Sequence, residues 1–113
     1  MSSQTLDLEF ATFQPQGYVS AANAGQFWQE LAHTVENQTS SAVLVDMESV
    51  EFMDSAGLMA LIRGFHLAQD LDRRFSLCSI PPSVRMMFEL TQLDKVFEIF
   101  DSKESFTATY SKF

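Results

Sequence analysis

Ala42-Val43-Leu44-Val45 is an unbroken apolar run that ends at Asp46. A strand with one wet face alternates polar and apolar residues. This run does not, so both of its faces need cover, as in a parallel sheet with helices packed on it. The rest of the chain supplies what such a sheet requires. Leu6, Leu8 and Phe10 alternate with Asp7, Glu9 and Ala11 and predict a half-wet first strand. Gln14-Pro15-Gln16-Gly17 suits a type I turn. Ala24, Phe27, Leu31 and Val35 then recur at helical spacing, with Trp28 and Ala32 beside them and Ser20 or Asn23 available as a cap. After the apolar run, Leu58, Leu61, Ile62, Phe65, Ala68 and Leu71 form a second helical stripe, opposite Arg63, His66, Gln69, Asp70 and Arg73. Phe75 to Ile80 reads as a third strand. Pro81-Pro82 opens a helix that continues through Val84, Met87, Phe88 and Thr91. Val96 to Phe100 reads as a fourth strand. Asp101 with Glu104 resembles a capping box ahead of Phe106 and Tyr110.

Strand and helix therefore alternate four times, which predicts an α/β domain built on a mainly parallel sheet of four to five strands with about four helices. The N-terminal strand is expected at the edge, where an antiparallel pairing is allowed. In open sheets of this kind the functional crevice lies beyond the carboxyl ends of the strands. Two polar segments arrive there, Gly17 to Asn23 and Asp46 to Gly57.

The 113 residues suffice for one domain, with a core expected over residues 6–110 and no linker or repeat. Seven Lys and Arg against fifteen Asp and Glu leave a net charge of −8. That balance disfavours a phosphate backbone or an anionic membrane as partner and leaves proteins as the expected partners. No apolar run is long enough to span a membrane. Met1 to Asp7 carries no basic region followed by an apolar stretch, so no secretory signal is read there and a cytoplasmic location is expected.

Several chemistries lack their residues. The single Cys excludes an internal disulfide and a multi-Cys zinc site, and Cys78 reads as a small core residue in a central strand. The four Gly do not cluster, so no phosphate-cradling loop exists. Ser55 has Gly57 after it but Met53 before it, which breaks the nucleophile-elbow pattern. His33 and His66 fall on different helices, on faces expected to be wet, without metal-ligand spacing. Met86-Met87 reads as core filling. No catalytic residue, metal or cofactor is expected, and the chain is expected not to be an enzyme.

The informative stretch is Val45 to Leu58, where a buried strand runs into a loop that ends at a helix N-terminus. Ser55 lies at that terminus, where unpaired N–H groups and the helix dipole favour negative charge. A phosphoryl group there is tolerated by the helix and adds roughly two negative charges beside Asp54. Asp54 or Ser55 also suits an ordinary N-cap. Gly57, costly inside a helix, indicates a close backbone approach.

Phe52-Met53-Asp54-Ser55-Ala56-Gly57-Leu58 resembles the Asp-Ser-x-Gly-Leu signature of STAS domains, in particular the stand-alone bacterial anti-sigma factor antagonists. Ala42 to Asp46 resembles the strand before that signature, and Pro15 to Ala24 the turn before the first helix. Ser79 to Val84 and Leu90 to Phe97 resemble the C-terminal half. The resemblance spans about residues 6–110. It implies a partner switch. The unphosphorylated protein binds a Ser/Thr protein kinase that acts as an anti-sigma factor. That kinase phosphorylates the Ser corresponding to Ser55, and binding is lost. A metal-dependent Ser/Thr phosphatase resets the switch. Two positions depart from the family pattern: Ser20 stands where an Asp near the phospho-acceptor is common, and Gln92 where Gly is common. A docking patch of Ser20, Asn23, Met53, Asp54, Ser55, Ala56, Met59 and Arg63 is expected, with Met53 and Met59 as exposed, adaptable contacts. The competing readings are a constitutive scaffold with Ser55 as a cap, and a module binding a small ligand or nucleotide at the same helix end.

Overall fold

The computed structural model describes residues 10–37 and 40–110. Its elements run in the order β1 (Phe10–Phe13), β2 (Gly17–Val19), α1 (Ala24–Val35), β3 (Ala42–Asp46), β4 (Val50–Met53), α2 (Ser55–Asp70), β5 (Arg74–Cys78), α3 (Pro82–Leu90), a 3-10 turn (Leu93–Lys95), β6 (Glu98–Phe100) and α4 (Lys103–Tyr110). The main sheet has the order β1-β3-β5-β6 with every pairing parallel. The strand at the N-terminal edge is thus parallel to β3, which corrects the antiparallel option. Leu6 and Leu8 lie outside the described residues.

The parity of the strands sorts the core into two parts. Val43, Val45, Phe75 and Leu77 face the larger cluster, where Leu31, Val35, Leu61, Val84 and Phe88 from α1, α2 and α3 meet them. Each of those aliphatic or aromatic side chains contributes about 1.5–3 kcal/mol when fully buried. Ala42, Leu44 and Cys78 point the other way, onto Phe106 of α4, with Phe10 and Phe100 packed alongside. The apolar run of β3 is buried at all five positions because both layers cover it. Gly64 lets α1 and α2 close up: a Cβ there would stand 2.5 Å from Leu31 Cδ2.

Two strands were not read from the sequence. Gly17–Val19 and Val50–Met53 pair in parallel as a separate two-stranded sheet, stitched further by Gly17 N–H to Ser49 O at 2.9 Å. The last strand is shorter than expected, because Val96 and Phe97 complete the 3-10 turn through N–H bonds to Leu93 O. Met86 is 61% exposed and so does not fill the core. The cap of α4 comes from Ser102, whose Oγ accepts the Ser105 N–H at 3.1 Å, and not from Asp101 and Glu104. His33 and His66 are both exposed, as their helix faces predicted.

Candidate functional site

Asp54 organises the end of the molecule where the two polar segments meet. Its extended backbone starts α2, and its Oδ1 accepts the N–H groups of Ala56 at 2.9 Å and Gly57 at 3.2 Å. Its Oδ2 accepts the Ala21 N–H at 3.0 Å, across 33 residues of chain. Asp54 N–H in turn donates to Val19 O at 3.0 Å. One carboxylate therefore caps a helix and ties the β2–α1 loop to it. The Gly57 N–H, with those of Ala21 and Ala56, holds this carboxyl below its ordinary value against the opposing effect of desolvation.

The close approach at Gly57 comes from within the chain. A Cβ at this position would meet Val19 Cγ1 at 2.8 Å, Met53 Cγ at 2.9 Å and Val19 O at 3.1 Å. The glycine lets β2 lie against the first turn of α2, where Asp54 holds the Ser20–Asn23 loop.

That loop is held by its own side chains. Asn23 Oδ1 accepts the Ser20 N–H at 2.8 Å, and Asn23 Nδ2 donates to Tyr18 O at 2.8 Å. Ser20 Oγ accepts the Ala22 N–H at 3.3 Å. Asn23 occupies the N-cap position of α1 but makes no side-chain bond to the helix; its amide is committed to the loop.

Ser55 is the first residue of α2 and is exposed. Asp54, not Ser55, performs the capping. Ala56 is half-buried beside it, and Met59, four residues on, is 55% exposed. Arg63 lies four residues further along, with its guanidinium 4.1 Å from the Trp28 ring centroid. The structure thus gathers Ser20, Asn23, Asp54, Ser55 and Ala56 around one carboxylate and aligns Met59 and Arg63 along α2. Met53 departs from expectation. It is 1% exposed and packs in the main core, because the alternation of β4 turns it inward while Phe52 turns out. Phe52 and Tyr18 are a pair that the sequence reading missed: both exposed, opposite each other in the β2–β4 register, with ring centroids 5.8 Å apart. The available signal was the aromatic residue at alternating parity beside the signature.

Among the described residues, no group of three His, Cys, Asp or Glu is placed to hold a metal ion, and no helix is long and apolar enough to cross a membrane. Comparison with known proteins adds the family. The STAS domain family model matches residues 5–106. The chain belongs to the STAS domain family. BtrV of Bordetella bronchiseptica, which bears the name of an anti-sigma factor antagonist, is 30% identical over 95 residues, covering 84% of this chain and 81% of BtrV. A Thermotoga maritima protein of the same designation superposes with a TM-score of 0.83 at 19% identity, over 92% of this chain and 89% of that one. The Bacillus cell fate determinant SpoIIAA, in its phosphorylated form, superposes with a TM-score of 0.67 at 16% identity, over 89% of this chain and 91% of its own. These two structural likenesses establish a shared STAS fold. The BtrV match relates the chain to anti-sigma factor antagonists at the level of sequence.

Proposed function

We propose that this STAS protein is a partner switch of the anti-sigma factor antagonist type. In its unphosphorylated form it binds a Ser/Thr protein kinase acting as an anti-sigma factor, and phosphorylation of Ser55 releases it. A metal-dependent Ser/Thr phosphatase restores the binding form. The protein is then a substrate and a binding module, working in the cytoplasm, and not a catalyst.

The observation that carries this reading is the position of Ser55. Its side chain is exposed at the first position of α2, while the capping work is done by its neighbour. A Ser with no capping role at an exposed helix start leaves its hydroxyl for other chemistry, which weighs against the reading of Ser55 as a structural cap. The environment also gives the switch its force. The Ala56 and Gly57 N–H groups that would neutralise a phosphoryl group are already taken by Asp54. A phosphate of about −1.5 to −2 charge at Ser55 therefore faces a carboxylate and not a free cradle of N–H donors. Its charge stays unneutralised at the surface, and the cost of desolvating it beside Asp54 opposes a partner docked directly over Ser55.

The test is intact-mass analysis with fragment mapping on protein isolated from its native host, paired with binding of wild type and Ser55→Asp to the captured partner. Phosphate on Ser55 in part of the molecules, and at least tenfold weaker binding by Ser55→Asp (about 1.4 kcal/mol), are expected. Binding that is indifferent to Ser55→Asp, with Ser55 never modified, would favour the constitutive scaffold.

A further inference from the structure

A groove of about 160 Å³ opens between β2 with its preceding loop and the first turns of α1, lined in part by Gln16, Tyr18, Asn23, Gln26 and Glu30. It holds the space of roughly five waters. It adjoins the loop that Asp54 ties to α2, since Asn23 belongs to both. Its chemistry has one sign: among the described residues Glu30 is the only charged one in the lining, with no Lys or Arg.

Glu30 is exposed, and Gln26 Nε2 donates to its Oε2 at 3.2 Å, which orients the carboxylate. Tyr18, 63% exposed, is in the same lining, and its ring also meets that of Phe52. A carboxylate and an aromatic residue lining one small groove offer partners to two faces of one side chain. A guanidinium donates in its plane to the carboxylate and stacks on the ring. An ammonium, a compact and strongly hydrated charge, uses only the first of these.

We propose that this groove receives an arginine side chain of the protein partner, as an anchor adjoining the Ser55 surface. The proposal rests on the partner-switch reading for the identity of the partner, though not for the chemistry of the groove. The arrangement separates two tasks. Ser55 sets whether the partner can stay, and the groove selects partners carrying a correctly placed arginine. The net charge of −8 draws basic surfaces toward the molecule as a whole, and the groove converts that general attraction into a specific contact.

The experiment is a titration of isotope-labelled full chain with N-acetylarginine methylamide, followed by amide shifts, with the lysine and norvaline analogues as controls. Saturable shifts confined to Asn23, Gln26 and Glu30 and their neighbours are expected below about 100 mM, with the lysine analogue weaker and norvaline inert. Glu30→Gln should weaken the arginine response at least fivefold, and Tyr18→Ala should bring the arginine response down to the lysine one. Shifts absent from the groove, equal for arginine and lysine, or unchanged in Glu30→Gln would overturn the assignment. Because no kinase is present and Ser55 is untouched, failure here leaves the switch at Ser55 standing. Failure of the switch leaves the titration result standing.

Discussion

Asp54 carries more structure than any other polar residue of the site, and its role is readable by pH. Its carboxyl titrates below the ordinary 3.8 in the folded protein. The stability it supplies is therefore complete above the ordinary carboxylate value and is lost as pH falls through the lower folded value. Asp54→Asn keeps a good capping side chain but cannot ionise. Thermal unfolding followed from neutral to acid pH should show a shallower acid loss for this variant than for wild type. Gly57→Ala gives the complementary result. The new methyl meets Val19 and Met53 at less than 3 Å, so the variant should lose about 1–2 kcal/mol in denaturant unfolding despite better helix propensity. At this scale the sequence was largely legible. Asp-Ser-x-Gly-Leu announces a cap, an exposed Ser and a close approach, and all three are present. What it did not show was the source of the approach, because Val19 is remote in sequence. Nor did it show the inward turn of Met53, which depends on the parity of a strand only four residues long.

The elements were legible where they are long and periodic. Helices α1 and α2 repeat their apolar residues over three or more turns, and β3 is an uninterrupted run. By contrast β2 and β4 span three and four residues and exist only by pairing with each other. No window of either carries its own period, so they read as loop. The C-terminal pair shows how a short element is kept in place. Arg74 Nε and Nη2 meet Glu98 Oε1 and Oε2 at 2.7 and 2.8 Å, Ser76 Oγ donates to the same carboxylate, and the Arg74 guanidinium lies over the Phe106 ring at 5.1 Å. The Arg74 hydrogen bonds hold the Glu98 carboxyl below its ordinary range. The pair is over a third exposed, so Glu98→Gln should cost no more than about 1 kcal/mol. Phe106→Ala removes the centre of the smaller core and should cost about 3–5 kcal/mol. Equilibrium denaturation of the two variants should separate a solvated latch from a buried one.

At the scale of the whole molecule, the main sheet has unequal cover among the described residues: three helices on one face and α4 on the other. Cys78 lies beneath α4, fully buried, and its thiol is pushed up to about 11 by burial, with Asp46 adding in the same direction. It should therefore react with a disulfide reagent at pH 8 at least about 100-fold more slowly than a free thiol, with the rate rising as denaturant opens the fold. Comparing that rate with global unfolding should show whether α4 detaches separately from the rest. Arg63 stacks on the ring of Trp28, the single tryptophan of the chain. The indole is a built-in lamp at the border of the proposed docking surface, with a cation parked on its π face. A partner that draws Arg63 away changes the colour and brightness of that lamp. The arrival and departure of the partner can thus be followed optically in real time, without attaching a dye.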